Sequence, residues 1–347
     1  MDYTGALESG LKESSYLTTT RAGADQLIRR LLACGAIDKT LKIMVNEEKV
    51  LIPIREGYEH IAGQEMTLRG TFQIRSGFIT PQQKIEELLH KVHIYSDFPH
   101  TWVKLGNALF LRNLPVENKG RIAEIMGKVL DCKSVYEITG RIQGETRRPT
   151  VTLIAGNGGE IVHMENGVSY CFDPEKIMFS PGNVNVRTLA SEIDAKDKVI
   201  WDMFAGIGYF SLPIAKYGSP KVLYCTDINT LAIEYLRKGT AINGVSDRLR
   251  AYSINCLDFE PELRPEIVIM GNFDSQDYLG KVEEVAAPGA IVIMHHLMES
   301  GKENDPLIAG AKIRGYLKRQ ITVLDHIVVK SYSPRRWHVM TTFSFLN

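Results

Sequence analysis

The chain has no run of about 18 apolar residues, the length a membrane-crossing helix needs, so its 347 residues are read as a soluble protein with no membrane partner. Paired cysteines are missing too. Cys34, Cys132, Cys171, Cys225 and Cys256 are scattered without C-x-x-C spacing, which argues against a disulfide framework and a metal site and for a reducing, cytoplasmic setting. The start, Met1-Asp-Tyr-Thr-Gly, has neither the basic segment nor the following apolar core of a secretory signal. Charge of one sign is also lacking, since 41 Lys and Arg balance 41 Asp and Glu. Residues 1–184 carry 22 of each sign and residues 185–347 carry 19 of each. Bulk attraction to nucleic acid is thereby excluded, and any such contact must rest on local patches. Three are available: Arg141 with Arg147 and Arg148; Lys312, Arg314, Lys318 and Arg319; and Lys330 with Arg335 and Arg336.

One further absence is informative. Val199-Ile-Trp-Asp-Met-Phe-Ala-Gly-Ile-Gly-Tyr-Phe210 reads as a buried strand ending at Asp202, then a small-residue turn, then a helix over 209–217. A dinucleotide fingerprint would place a third glycine at position 211, which holds Ser211. An acid at the strand end, Asp202, repels a pyrophosphate but suits a ligand bearing an ammonium or a sulfonium. The next strand, 221–227, ends in Asp227, 19 residues past Gly208, where an acid accepts hydrogen bonds from ribose hydroxyls. Gly206 and Gly208 allow the sharp bend and a close approach of ligand to backbone. The inferred ligand is S-adenosylmethionine.

The length suggests more than one core. Residues 1 to about 20 are polar and are expected to be loosely ordered. A helix at 22–33, strands at 41–45 and 50–54, an irregular stretch at 58–76 and a helix at 80–92 make a small α/β unit over residues 1–95. A second, α+β unit over 96–182 has strands at 105–111 and 151–155, a helix at 118–130 between them, and a hairpin about Asn166-Gly167. The third unit, 183–347, reads as strands 198–203, 221–227, 249–253, 266–271, 289–295, 321–330 and 337–346, the first five each followed by helix. Only a short turn joins the last two strands, which forces an antiparallel pair at one sheet edge. The fold class is α/β: a Rossmann-like, class I S-adenosylmethionine-dependent methyltransferase domain with a seven-stranded, mostly parallel sheet, preceded by smaller α+β domains. Ligands of such sheets bind beyond the carboxyl ends of the strands at the switch in strand order, where Gly206, Asp227, Asn255 and Gly271 fall.

Four blocks carry a resemblance. They are His163-x-Glu165-Asn166-Gly167-x-x-Tyr170-x-Phe172-Asp173; Met178-Phe179-Ser180-x-Gly182-Asn183; Asp202-Met203-Phe204-Ala205-Gly206-Ile207-Gly208; and Val329-Lys330-Ser331-Tyr332-x-Pro334-x-x-Trp337-His338-Val339. Together they resemble the tRNA wybutosine-synthesising protein 2 family, whose superfamily includes tRNA guanine-37 N1-methyltransferases. The resemblance is clear from about Leu105 onwards and weaker at 22–54. It implies transfer of the 3-amino-3-carboxypropyl group of S-adenosylmethionine to the wyosine-type base (4-demethylwyosine) at position 37 of phenylalanine tRNA, with release of methylthioadenosine. The protein is expected to work as a monomer on the anticodon loop. The alternatives are guanine-37 N1-methylation and an inactive tRNA-binding relative.

The same resemblance assigns Ser180 and Arg187 to the methionine end of the cofactor, the guanidinium gripping its carboxylate bidentately. Asp227 would take the ribose, Asn255 and Cys256 would flank the adenine, and Asp202, Phe204, Gly206 and Gly208 would complete the site. Two departures stand out. Val186 occupies a place where the family commonly has glutamate, and Ile254-Asn255-Cys256 replaces a Gly-Asp-Asn-Arg pattern. No catalytic residue is fixed, nor is the general base; Asn272, in a loop that lacks the Asn-Leu-Pro of the methyltransferases, and His295 are the candidates for a catalytic part.

Overall fold

A computed structural model of the protein describes residues 10–46, 48–59, 67–75, 79–140 and 149–346. The chain divides into two compact units, Met1–Lys84 and Ile85–Asn347, so the division expected near residue 182 falls inside the second.

The first unit comprises β1 (Leu11–Thr20), α1 (Ala24–Ala33), β2 (Met44–Asn46), β3 (Lys49–Pro53) and β4 (Leu68–Gln73), an antiparallel sheet in the order β2-β3-β1-β4. Two expectations are corrected here. Of the segment read as loose, Leu11–Thr20 is β1, an interior strand, and residues 1–9 lie outside the described residues; the stretch read as irregular, of which 60–66 and 76 lie outside them, contains β4. Neither has an apolar alternation to announce it: β1 fully buries only Leu17, opposite Ile52, while Tyr16 and the run Thr18–Thr20 supply β-favouring side chains. Helix α2 (Pro81–Lys91) begins with proline at its first position, as expected.

The second unit opens with β5 (Val103–Leu105), β6 (Ala108–Leu111), α3 (Lys119–Val129), β7 (Ser134–Ile138) and β8 (Val151–Gly156), a mixed sheet in the order β5-β6-β7-β8. The strand read over 105–111 is a hairpin, because Gly106 turns the chain at φ +56°. β9 (Ile161–Glu165) and β10 (Val168–Phe172) form the Asn-Gly hairpin. Next come α4 (Val184–Ser191), β11 (Val199–Asp202), α5 (Ser211–Tyr217), β12 (Val222–Asp227), α6 (Thr230–Asn243), β13 (Leu249–Ser253), β14 (Ile267–Met270), α7 (Leu279–Val285), β15 (Ile291–Glu299), α8 (Pro306–Arg314), β16 (Ile321–Ser333) and β17 (Arg336–Phe345).

The seven strands lie in the order β13-β12-β11-β14-β15-β17-β16. The first five are parallel, and β17 inserts antiparallel between β15 and β16. Period-two alternation fills both faces: Ile200, Leu223, Ile269 and Ile293 pack with α4–α6, and Trp201, Tyr224, Val268 and Val292 pack with α7 and α8. The helix expected after β13 is reduced to a 3-10 turn at Cys256–Asp258, since Pro261 and Pro265 break up the segment between that turn and β14. The order reverses between β11 and β14, which places the glycine turn at the switch point.

Gly208 sits in that turn at φ +92°, and a Cβ there would lie 2.5 Å from Leu236 Cδ1 and 2.7 Å from Leu212 Cγ. Gly208→Ala should lower stability by about 1–3 kcal/mol, the cost of a non-glycine residue in a sparsely populated backbone region. Urea unfolding reads this directly, and an unchanged midpoint would show that the turn relaxes freely.

Candidate active site

The turn is pinned by the strands on either side of it. Met203 N–H donates to Ile269 O (3.0 Å) and Ala205 N–H to Thr226 O (3.0 Å). Gly206 N–H donates to Asp227 Oδ2 (2.8 Å), while Asn229 N–H donates to Asp227 Oδ1 (2.8 Å). Asp227 is half-buried at the mouth of the turn, and burial raises its carboxyl above the usual range despite the two amide donors. Gly271, at the end of β14, closes the opposite side; a Cβ on it would meet Phe210 Cε2 at 2.8 Å. Phe204 packs edge-on against Tyr278, ring centroids 5.1 Å apart.

Asp202, expected to complete the cofactor site, is buried beneath the turn. Its carboxyl is 0% exposed beneath the turn, where Ser211 Oγ donates to Oδ2 at 2.6 Å and Oδ1 has no hydrogen bond of ordinary geometry. Burial pushes it up to about 7, with the Ser211 and Phe204 hydrogen bonds opposing the rise and the Asp227 charge adding to it. The residue that broke the dinucleotide pattern, Ser211, is therefore the cap on this acid. That hydrogen bond was not foreseen, although an acid and a hydroxyl bracketing a glycine turn were both in view.

Arg187 is likewise turned inward. It is 3% exposed, and its Nε and Nη2 both donate to Glu165, Nη2 to Oε1 at 3.0 Å. Nη1 donates to Ser180 O at 3.0 Å, and the guanidinium lies 4.6 Å from the Phe179 ring centroid. The fork expected on a ligand carboxylate thus holds a carboxylate of the protein, and Ser180 takes part through its carbonyl. The adjoining turn is tied down as well: Asn166 Nδ2 donates to Thr188 Oγ1 (2.7 Å) and Tyr217 Oη to Asn166 O (2.8 Å).

The remaining candidates are dispersed. Asn255 Oδ1 accepts from Leu257 N–H (3.0 Å) and caps the 3-10 turn. Cys256 is buried, which pushes its thiol up to about 12. Asn272 is half-buried in the loop after β14. His295, expected at a strand end, lies within β15 opposite Met340 and is 2% exposed. Its Nδ1 shares a hydrogen bond with His338 Nε2 (2.8 Å), and burial with the neighbouring histidines lowers it to about 3, so it stays neutral. Of the basic patches, Arg335 and Arg336 are exposed on the β16–β17 turn. Lys312 Nζ is tied to Leu297 O (3.1 Å), and Arg319 lies over the Phe345 ring. Arg141, Arg147 and Arg148 lie outside the described residues. Among the described residues no His, Cys, Asp and Glu are grouped to hold a metal ion, and no helix is long and apolar enough to cross a membrane.

Residues 161–309 match the TRM5/TYW2 methyltransferase domain, and residues 85–159 match the TYW2 N-terminal domain. A tRNA(Phe) (4-demethylwyosine(37)-C(7)) aminocarboxypropyltransferase from Pyrococcus horikoshii is 34% identical over 264 residues, covering 74% of this chain and 94% of that protein. The chain belongs to the tRNA wybutosine-synthesising protein 2 family. A crystal structure of the P. horikoshii TYW2 in complex with MeSAdo superposes with TM-score 0.66 at 30% identity, over 77% of this chain and 99% of that one. Trm5b from Pyrococcus abyssi superposes with TM-score 0.64 over 96% of this chain and all of that one, at 23% identity, a likeness of fold. Met1–Lys84 is about a quarter of the chain, so the Trm5b match includes most of that unit.

Two outcomes are expected from the buried charges of this family member. Between about pH 4 and 7 the unfolded chain has lost the Asp202 proton while the folded chain keeps it, so this group makes the fold less stable as pH rises through that window. Asp202→Asn should flatten that part of the stability profile in urea melts from pH 4 to 8; an unaltered slope would mean that Asp202 ionises normally. Glu165→Ala leaves Arg187 buried without its counter-charge and should cost about 3–5 kcal/mol, most of it recovered in Glu165→Ala/Arg187→Met. A single variant as stable as the parent would show that the pair contributes nothing to folding.

Proposed function

We propose that this protein transfers the 3-amino-3-carboxypropyl group from S-adenosylmethionine to 4-demethylwyosine at position 37 of phenylalanine tRNA, acting as a monomer on the anticodon loop. The observation that carries the reaction class is the aminocarboxypropyltransferase relative, 34% identical across 94% of its own length. The residues present fit the donor. The turn at 205–208 has its backbone at the carboxyl end of the sheet, and Asp227 stands at its mouth with both oxygens fixed in place by backbone amides.

When bound, S-adenosylmethionine supplies a sulfonium-activated carbon: a bond from C7 of the base forms to it as its bond to sulfur breaks, methylthioadenosine leaves, and the C7 proton is lost. The protein's part is alignment. Asp227 would hold the ribose hydroxyls, Asn255 and Cys256 would flank the adenine, and Phe204 and the Gly206–Gly208 backbone would pack against the donor. Fixing which carbon faces the base is worth several orders of magnitude in rate and requires no covalent attack by a side chain. His295 is neutral and bonded to His338, so it would position neighbouring rings, and the C7 proton would be lost to water after alkylation, with Asn272 able to offer hydrogen bonds only.

The alternative, methyl transfer to guanine 37, is the less supported reading: Trm5b from P. abyssi is 27% identical over 91% of this chain, below the 34% of the aminocarboxypropyltransferase. Product analysis separates the two. Incubation with S-adenosylmethionine and tRNA carrying 4-demethylwyosine should give methylthioadenosine by mass spectrometry, together with a gain of the aminocarboxypropyl mass on the tRNA. Formation of S-adenosylhomocysteine would establish methyl transfer instead, and neither product would leave an inactive tRNA-binding protein.

A further inference from the structure

A chain of rings crosses the carboxyl ends of the sheet. Phe210 stacks on His295 with centroids 4.9 Å apart, and His295 meets His338 at 5.1 Å. Phe273, in the loop after β14, meets His338 at 4.7 Å and Tyr332 at 5.2 Å, the last contact edge-on at 76°. His295 and His338 are buried and Phe210 and Phe273 are half-buried, whereas Tyr332 is 53% exposed. The ladder thus begins beside the glycine turn and ends in one ring that presents a face to solvent.

We infer that Tyr332, held edge-on by Phe273 and flanked by Arg335 and Arg336, is a stacking platform for an RNA base adjacent to the one that reacts. The proposal rests on the tRNA reading above. Three features favour a nucleotide as the occupant. The exposed neighbours Ser331, Pro334, Arg335 and Arg336 supply no contiguous apolar area of the kind a protein partner needs. A base asks for one ring face, and its phosphates ask for cations, which is what this turn offers. Finally, Tyr332 is joined through Phe273 to the loop after β14, at the strand ends where the reacting base must arrive. Glu299, opposite Arg336 in the β15–β17 register, offsets part of the positive charge and is itself paired with Lys302.

The test uses the full chain and an anticodon stem-loop RNA carrying 4-demethylwyosine at position 37, otherwise intact or with an abasic site at position 36 or 38. Tyr332→Ala should weaken binding of the intact RNA about 5- to 150-fold, the range for one stacked base, while Tyr332→Phe stays within about twofold. At one of the two abasic positions the RNA should bind the parent as weakly as it binds Tyr332→Ala, because removing either partner removes the same contact. Arg335→Gln and Arg336→Gln should each weaken all the RNAs alike and lower the salt slope by about one. Calorimetric S-adenosylmethionine affinity equal to the parent's in Tyr332→Ala certifies the fold; with it, parental RNA affinity would overturn the platform and leave the transfer reading standing. Tyr332-dependent binding without methylthioadenosine production would instead overturn the transfer reading and leave the platform.

Discussion

The hydrogen bond from Gly206 N–H to Asp227 Oδ2 is the constraint on which the arrangement turns. It ties the turn after β11 to the end of the adjacent parallel strand β12, beside the point where strand order reverses, and it fixes the turn before any ligand arrives. Asn229 N–H holds the other oxygen, so the carboxylate cannot swing away. On the inner side Asp202 and Ser211 close the same turn from below. A backbone bent through two positive-φ glycines is entropically expensive, and these polar contacts with the Met203 and Ala205 amide bonds are what keep it in one shape.

A second constraint couples the β9–β10 hairpin to this domain. Glu165, Asn166 and Gly167 reach α4 and α5 through Arg187, Thr188, Lys216 and Tyr217. The hairpin is thereby part of the wall beside the Ser180–Asn183 turn, which explains why residues 96–182 and the seven-stranded sheet fall in one compact unit. A buried ion pair is weak evidence for stability but good evidence for register. Here it sets where the hairpin docks.

The features legible in the sequence are those that leave a local signature. All seven strands of the large sheet could be placed from apolar runs, and Asp227 from its spacing, because buried parallel strands and a strand-end acid are both local patterns. β1 and β4 were not legible, since they are held by partners distant in sequence and bury few apolar side chains. The pairing of Arg187 with Glu165 was hidden for the same reason: two residues 22 apart show no periodic relation, and a lone arginine near a ligand motif reads as a ligand contact. The burial of Asp202 was not legible either, because a carboxylate at a strand end carries no mark of whether it points up or down.

The pairing of Arg187 with Glu165 bears on how a bound donor would be aimed. A guanidinium has five N–H donors, and Glu165 and Ser180 take three of those on Arg187, in a pocket that is almost closed to solvent. A methionine carboxylate could engage Arg187 only through the remaining donors or by displacing Glu165. Displacement would strand a second buried carboxylate, so sharing is the less costly arrangement. Shared in this way, Arg187 would contribute charge more than direction. Direction must then come from elements that do not move: the Gly206–Gly208 backbone on one side and the Gly271–Asp274 loop, braced by Phe210 and Phe273, on the other. The choice among three electrophilic carbons is on this view a property of rigid backbone and aromatic packing, with the charged groups setting affinity.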